Sequence, residues 1–302
     1  MKRSKIVIFA LIVLLFTVFE LTLRFYWGFC DSPLCLSSKN YEYIYAPDQH
    51  RYRFRNHIDY NKFSMRSNEI NSSKKHVLGL GDSVINGGTP TDQSELATTL
   101  VTNETGIQIL NISAGSWGPD NCAAYLKEKG LFNAKAIILV VSSHDAHDNM
   151  DFTPTVGIHP SYPSKQYKLA SWEFLDRYII PKMLGEFMSK QIDPDQAVVM
   201  GIHKSGKIFN PGFEQLRNLA DSAGIPLLVY LHPEQGELKV GKYNEQGDEI
   251  IKWARSNKVS LTLGLSVEKL NAYRDDIHLN AVGQRNLAFS MEKMLNKSHI
   301  IN

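Results

Sequence analysis

Alternating apolar and amphipathic segments fill most of this 302-residue chain and constrain its fold more than any other feature. The run AKAIILVVSS is almost continuously apolar, which is typical of a strand buried on both faces of a parallel sheet. The predicted strands are 76–80, 107–112, 135–142, 225–231 and 258–263, and the predicted helices are 92–103, 119–131, 211–223, 244–256 and 280–296. This alternation predicts an α/β fold with a doubly wound (flavodoxin-like) parallel sheet and flanking helices.

The first 28 residues differ in composition from the rest of the chain. A basic start at positions 2–5 precedes an apolar run at 6–19, and apolar residues continue as far as Trp27. About 22 helical residues span about 33 Å, which matches the hydrocarbon core of a bilayer. Because positive charges favour the cytoplasmic side, residues 1–28 are predicted to be a cytoplasmic start and a transmembrane signal-anchor helix. The chain is then a single-pass protein of the inner (cytoplasmic) membrane with a periplasmic body.

A cleaved signal peptide is the alternative interpretation of this segment. Cleavage needs small residues after the apolar run, and Leu21-Thr22-Leu23 meets that need poorly. Cys30 could mark a lipoprotein, but Phe29 before it is larger than the residue usual at that position. Both interpretations export the body of the protein.

The exported body divides into two predicted parts. Residues 29–74 are predicted to be a stalk or cap segment whose tyrosines pack in part on the main domain. Residues 75–302 are predicted to form the α/β domain, with an insertion at about 150–209 after the third strand. Ligands bind beyond the carboxyl ends of strands in such sheets, so the insertion is either a substrate lid or a subdomain that only stabilises the fold. Cys30 and Cys35 are either a local disulfide or two unpaired thiols.

Composition and residue spacing exclude several classes of function. The chain has 33 Lys and Arg against 31 Asp and Glu, so its formal net charge is only +2 at pH 7. It lacks the basic stripe and aromatic stacking motif that nucleic-acid binding requires, and we expect no nucleic-acid partner. Metal-ligand spacing is also missing, and the His and Asp residues at 144–148 are more typical of an active-site rim. We therefore expect neither a metal nor a cofactor.

Two short motifs near opposite ends of the predicted domain carry reactive side chains. GLGDSVINGG, residues 79–88, places Ser83 directly after a run that predicts a buried strand. RDDIHLNAVGQ, residues 274–284, places Asp275 three residues before His278, at the start of a predicted helix. A serine, a histidine and a carboxylate are the components of a nucleophilic acyl-transfer site. Glycines on both sides of Ser83 permit a tight turn and the close approach of a substrate.

The chain resembles the SGNH or GDSL hydrolases over roughly residues 75–295, because GDS, NISAGSWGPDN, VVSSHD and DxxH follow the order of that family's blocks. The segment NKFSMRS and the N-terminal anchor are similar to those of membrane-anchored bacterial members found with cell-envelope polysaccharide systems. The resemblance implies that Ser83 is the nucleophile and His278 the general base, which Asp275 orients. The family's DxxH spacing selects Asp275 over its neighbour Asp276.

The resemblance also implies an oxyanion hole. The backbone N–H of Ser83 is one expected donor, and the turn at Gly115 and Ser116 supplies the second, since a backbone donor does not require glycine. His144 stands where the family's GxND block has its asparagine. A neutral imidazole can donate one N–H as an amide does, so His144 is the third expected donor. The alternative is that His144 packs beneath the site. Asp82 is expected to tie down the turn.

The function that the resemblance implies is that of an exported serine esterase or O-acyltransferase. It would act through an acyl-enzyme on O-acyl groups, foremost O-acetyl, of an envelope or exported polysaccharide. Its expected partners are that polymer, the bilayer and proteins of polysaccharide biosynthesis or export. The alternative is a weakly active or inactive SGNH-fold component that binds or scaffolds a polysaccharide export or modification system. His232-Pro233-Glu234 follows a predicted strand and either contacts substrate or simply ends the strand.

Overall fold

The computed structural model describes residues 2–183, 204 and 206–301. The insertion predicted at about 150–209 therefore lies partly outside the described residues. The division of the chain into an anchor, a cap segment and an α/β domain stays a prediction.

Two antiparallel hairpins follow the N-terminal helix. Their strands are β1 (Cys35–Ser38) paired with β2 (Glu42–Tyr45), and β3 (Gln49–Arg53) paired with β4 (Asn56–Tyr60). The sequence pattern predicted few regular elements here, because strands of four or five residues are too short for a clear alternation. Tyr43 of the first hairpin is 2% exposed and belongs to the main core, as its aromatic character led us to expect. Cys30 and Cys35 are free thiols in the structure.

The described part of the domain is built on a five-stranded parallel sheet in the order β6-β5-β7-β8-β9. These strands are β5 (His76–Gly81), β6 (Gln108–Ser113), β7 (Ile137–Ser142), β8 (Leu227–His232) and β9 (Ser260–Leu263). All five correspond to predicted strands, with ends that differ by two residues or fewer. The order, with β5 between its two successors, is that of the flavodoxin-like doubly wound sheet. The predicted fold class is confirmed.

Helices cover both faces of this sheet. Their bounds are α1 (Lys2–Leu21), α2 (Ser83–Asn86), α3 (Ala97–Thr105), α4 (Pro119–Lys129), α5 (Ala170–Phe174), α6 (Gly212–Ala223), α7 (Gln235–Val240), α8 (Glu245–Ser256) and α9 (Ala281–Lys297). Short π turns continue α1 at Thr22–Tyr26 and α5 at Leu175–Ile179. A cluster of buried apolar side chains lies on each face of the sheet. Helices α3 and α9 pack on one face, and α4, α6 and α8 contribute to the cluster on the other. Successive strand residues alternate between the two clusters, which explains why the strands are apolar throughout.

The carboxyl ends of four strands meet at one edge of the sheet. Gly81 at the end of β5 lies opposite Ser113 of β6 and Val140 of β7, and Ser142 of β7 lies opposite His232 of β8. The switch point of a sheet with this order lies between its first and third strands, so a crevice opens between the loops that follow β5 and β7. The loops beyond β5, β6 and β7 hold Ser83, the turn at 115–116 and His144, and the segment after β9 brings Asp275 and His278 to the same edge.

Candidate active site

Ser83 is the first residue of α2, directly after the turn that ends β5. Gly81 has φ +152°, and a Cβ atom there would lie 2.4 Å from the carbonyl oxygen of Val140, so the turn requires glycine. Asp82 caps the short helix, since its carboxylate accepts a hydrogen bond from the N–H of Val84 at 2.8 Å. This is the structural role expected for Asp82, and it leaves Ser83 at the head of the turn.

The structure brings Ser83, His278 and Asp275 together in a continuous chain of hydrogen bonds. The Oγ of Ser83 lies 3.0 Å from Nε2 of His278, and Nδ1 of His278 lies 2.8 Å from Oδ2 of Asp275. Asp275 also accepts from the backbone N–H of His278 at 2.7 Å. The neighbouring Asp276 instead uses its carbonyl, which accepts from the N–H of Gln235 at 2.8 Å. The geometry therefore favours Asp275 over Asp276.

The protonation of Asp275 determines which nitrogen of His278 carries hydrogen. Partial burial would raise the pKa of Asp275, but hydrogen bonds from the backbone N–H groups of His278 and Ile277 and from the His278 ring lower it overall. An ionised carboxylate only accepts, so Nδ1 of His278 donates to it. In the neutral form of the ring, Nε2 is then the free acceptor facing the Ser83 hydroxyl, which is the arrangement a general base needs.

His232 anchors the loop that carries Asp275 and His278. Its ring is fully buried, with Nε2 2.8 Å from the carbonyl oxygen of Ile277 and Nδ1 2.8 Å from Oε1 of Glu268. Both partners are acceptors, so the ring donates from both nitrogens and is an imidazolium. Burial would lower the pKa of His232, but the Glu268 carboxylate raises it overall. A buried ring cannot contact substrate, so His232 positions the loop instead.

Two arginines that sequence reasoning missed hold the Ser83 loop in place. Arg274 donates to the carbonyl of Gly87 at 3.0 Å and to the Thr91 hydroxyl at 3.1 Å. Arg66, which is fully buried, donates to the carbonyls of Asn86 at 2.5 Å and Thr91 at 2.6 Å. Arg274 therefore joins the two sequence motifs directly. Arg66 gives the NKFSMRS segment a structural role, because it binds the loop that follows Ser83.

His144 lies among three carboxylates. Its Nδ1 is 3.0 Å from Oε1 of Glu234, and one of its ring nitrogens lies within 4.8 Å of carboxylate oxygens of Asp82 and Asp145. Burial alone would lower the pKa of His144, but the charges of Asp145 and Asp82 and the hydrogen bond with Glu234 raise it to about 10. Burial also raises the pKa of Asp145, and the positive charge of His144 counteracts that shift.

This environment revises the donor chemistry expected of His144. We expected a neutral imidazole with one N–H available for an oxyanion. In the structure the Glu234 carboxylate accepts from Nδ1, so a neutral ring would leave Nε2 as an acceptor only. His144 can therefore donate a second hydrogen bond only as an imidazolium, the form that the surrounding carboxylates favour. Glu234, which follows the end of β8, therefore determines that Nδ1 of His144 is a donor and that a second donated hydrogen bond requires a charged ring.

Asp82, His144 and Asp145 are also the described residues that could hold a metal ion. Oδ1 of Asp145 is buried without a hydrogen-bond partner, which makes this cluster the natural place to test that interpretation. A protonated His144 already supplies a positive charge beside both carboxylates. A proton on His144 is one way to balance the charge of this cluster, and the expected absence of a metal stays a prediction.

The turn after β6 is held by two tyrosines. The hydroxyls of Tyr43 and Tyr162 donate to the carbonyl oxygen of Gly115 at 2.8 Å and 3.0 Å. Because the peptide is trans, the N–H of Ser116 points to the side opposite that carbonyl. Ser116 itself has φ +54°, an uncommon conformation that the fixed turn sustains. The orientation of this peptide is thus well determined, and its part in an oxyanion hole stays a prediction.

Comparisons with known proteins found likenesses among solved structures only. No family model matches the chain, and no curated protein matches it.

One of the similar solved structures is a protein from Desulfitobacterium hafniense that is described as lipolytic and of the G-D-S-L family. It is 11% identical, the match covers 74% of this chain and 100% of the other, and the TM-score is 0.42. A psychrotrophic esterase from a Pseudoalteromonas species has 12% identity, coverage of 74% and 98%, and TM-score 0.41. A carbohydrate acetylesterase from Sinorhizobium meliloti has 15% identity, coverage of 74% and 99%, and TM-score 0.39. Likenesses this distant carry no functional weight, so the proposal below rests on the site itself.

Proposed function

We propose that this chain is a serine hydrolase that cleaves or transfers acyl groups from oxygen esters. The observation that carries the proposal is the hydrogen-bonded series Ser83–His278–Asp275, with distances of 3.0 and 2.8 Å between successive side chains. A nucleophile, a base and an orienting carboxylate in this geometry are the requirements for acyl-enzyme chemistry. The sequence motifs that resemble the SGNH hydrolases assign the same roles to the same residues.

The reaction follows from the positions of the protons. Nε2 of His278 takes the hydrogen of Ser83 as Oγ attacks the ester carbonyl carbon, and the carbonyl oxygen becomes an oxyanion. The backbone N–H of Ser83, the N–H of Ser116 and His144 are the proposed donors to that oxyanion. The tetrahedral intermediate expels the alcohol oxygen, which takes the proton from His278 and leaves an acylated Ser83. Water or another hydroxyl group then attacks the acyl-enzyme by the same steps, which gives hydrolysis or transfer.

We propose a small acyl group, foremost acetyl, on an extracytoplasmic polysaccharide as the substrate. The side chain of Asp275 is 51% exposed and that of His278 is 29% exposed, so the site is at the surface and accessible to a large polymer. The resemblance to membrane-anchored members of cell-envelope polysaccharide systems supports the same substrate class. Proteins that make or export the polymer are the proposed partners.

We also propose that the N-terminal helix is a retained membrane anchor. The stretch Ser4–Tyr26 is long and apolar enough to span a bilayer, with mean hydropathy 2.8, and only 6% of it is buried. Such exposure suits a lipid-facing helix, although length and composition are shared by signal sequences. The basic residues before it favour an extracytoplasmic body.

Labelling with a fluorophosphonate tests the chemistry, because this probe reacts only with an activated serine. We expect the full-length protein to be labelled, and Ser83→Ala to abolish labelling and turnover of p-nitrophenyl acetate. Ser222→Ala is the matched control, since that hydroxyl bonds only within the exposed surface of α6. An unlabelled but folded wild-type protein would favour the alternative of a non-catalytic scaffold.

A further inference from the structure

The segment that begins with α5 has an unusual distribution of apolar side chains. Its inward face is buried, with Ala170 at 0% and Glu173 at 0% exposure. Its outward face is apolar and exposed; we call it the interfacial face, and it consists of Leu169, Trp172, Leu175 and Met183, exposed by 51%, 53%, 41% and 64%. A helix of a soluble protein normally presents polar residues to water, so this face is suited to a different environment.

The same segment is attached to the end of the proposed membrane anchor. The carboxylate of Glu20 accepts from the backbone N–H groups of Ala170 at 2.7 Å and Ser171 at 2.8 Å. Arg24 donates to the carbonyl of Lys168 at 2.7 Å. These contacts cap the N-terminus of α5 with a residue of α1, and they hold the interfacial face at a defined depth along the anchor.

That depth is set by the length of the anchor. The run at residues 6–19, apolar except for Thr17, is about 21 Å long as a helix, about 9 Å less than the hydrocarbon core of a bilayer. The remaining thickness is spanned by the residues after Phe19, which extend to Tyr26. Because Glu20 caps α5, the start of α5 lies at the level where the anchor crosses the outer part of the bilayer. Amphipathic helices lie about 5–10 Å deep at the boundary of headgroups and acyl chains.

The interfacial face is surrounded by exposed aromatic and basic residues of the kinds that are common at a membrane–water interface. Tyr26 and Trp27 are 49% and 41% exposed at the end of the anchor, and the guanidinium of Arg55 lies 5.2 Å from the centre of the Tyr26 ring. Lys165 and Lys168 are exposed just before α5. Aromatic rings and basic side chains in this arrangement favour the headgroup region, basic ones especially where lipids are anionic.

We propose that the interfacial face inserts into the outer leaflet of the membrane, so that the catalytic body is docked directly on the bilayer at a second point. The proposal rests on the retained anchor proposed above. Glu173, on the inward side, pairs with Arg53 of β3 at 2.7 Å, so docking of α5 also fixes the hairpin and the domain behind it. The partner is the lipid surface itself, and it holds the Ser83 site in one orientation above the membrane.

Tryptophan quenching by brominated lipids tests this, with the full-length protein in vesicles of phosphatidylglycerol and brominated phosphatidylcholine. The chain has four tryptophans, at 27, 117, 172 and 253. We expect quenching of Trp27 and Trp172, so that Trp172→Phe lowers the lipid-quenchable emission about twofold. Trp253→Phe is the matched control, because Trp253 packs on Phe213 at 5.0 Å within the body and its loss should leave that emission unchanged.

Two outcomes overturn docking. If Trp172→Phe and Trp253→Phe leave the same lipid-quenchable emission while Trp27→Phe removes it, the anchor stands and docking is overturned, whether Trp172 then faces water or a second copy of the chain. If no tryptophan is quenched, the anchor fails and docking fails with it. Turnover of p-nitrophenyl acetate in the same vesicles tests the catalytic site independently.

Discussion

Glu234 accepts a hydrogen bond from Nδ1 of His144 across 3.0 Å, and this one contact decides what the imidazole can offer to the site. The hydrogen bond lowers the pKa of Glu234 and helps to raise that of His144 to about 10. The ring is therefore charged at neutral pH and can donate from its second nitrogen. An asparagine at the same position would donate without charge, so His144 gives this site a pH dependence that an amide cannot have.

Truncation of His144 tests its part in stabilising the oxyanion. We expect His144→Ala to lower kcat by about 10²–10³ with KM little changed, because one donor acts mainly in the transition state. His144→Asn should recover much of that loss, since an amide N–H can replace the ring N–H. Steady-state kinetics on a small acetyl ester would measure both effects. Rates of His144→Ala equal to wild type would make His144 a packing residue.

The charge of His144 predicts loss of activity at high pH. The pKa of His144 is raised, so its charged form is present below about pH 10 and activity should fall as pH rises through that value. Glu234→Gln keeps an acceptor for Nδ1 but removes one negative charge, so the alkaline limb of kcat should move to lower pH.

The control for this pH profile is His144→Asn, which has no titrating ring and should lose the limb. Profiles of kcat between pH 6 and 10.5, corrected for spontaneous ester hydrolysis, would compare the wild-type protein, Glu234→Gln and His144→Asn. If all three proteins show the same alkaline limb, a group other than His144 causes that limb.

The sheet was predictable because its strands are buried on both faces. Continuous apolar runs such as Ile137–Val141 are produced by this burial, and they are visible without any knowledge of neighbours. The two hairpins were missed, because Cys35–Ser38 and its partner are too short to establish a period. Local patterns thus indicated the strands of the main sheet, and they failed for the short strands of the two hairpins.

The residues of the proposed triad were predictable, and the residues that support them were not. Ser83 and His278 stand in motifs whose residue types indicate chemistry. Arg66 and Arg274 instead bind backbone carbonyls, and every residue carries a carbonyl, so nothing in the sequence marks their partners. Glu234 meets His144 only because β7 and β8 are adjacent in the sheet, across a separation of 90 residues.

The proposed triad predicts that its members act as a unit. Ser83→Ala and His278→Ala should each abolish nearly all turnover of p-nitrophenyl acetate, because the base has no function without the nucleophile. The double variant should be little slower than either single variant. Additive losses in kcat/KM, measured on folded protein, would contradict a shared mechanism through the 3.0 Å contact of Ser83 and His278.

The buried pair of His232 and Glu268 predicts a link between stability and catalysis. His232→Ala removes the donor to Ile277 and leaves the buried Glu268 carboxylate with its tyrosine donors but without a positive partner, so the free energy of unfolding should fall by about 3 kcal/mol. The loop that carries His278 should loosen, and kcat should fall while KM changes little. His50→Ala is the matched control, since that ring is 83% exposed and pairs only with Asp59 at the surface.

The pH dependence of unfolding distinguishes this role of His232 from simple packing. Its pKa is raised on folding, so the stability it adds is complete below the pKa of an unfolded histidine and is lost as pH rises through the folded value. Denaturant unfolding of the detergent-solubilised protein at pH 6 and pH 9 should therefore show a larger loss from His232→Ala at pH 6. An equal loss at both pH values, with kcat unchanged, would mean that the ring only fills space. A larger loss at pH 6 together with a lower kcat would establish that the charged His232 ring positions the catalytic loop through Ile277.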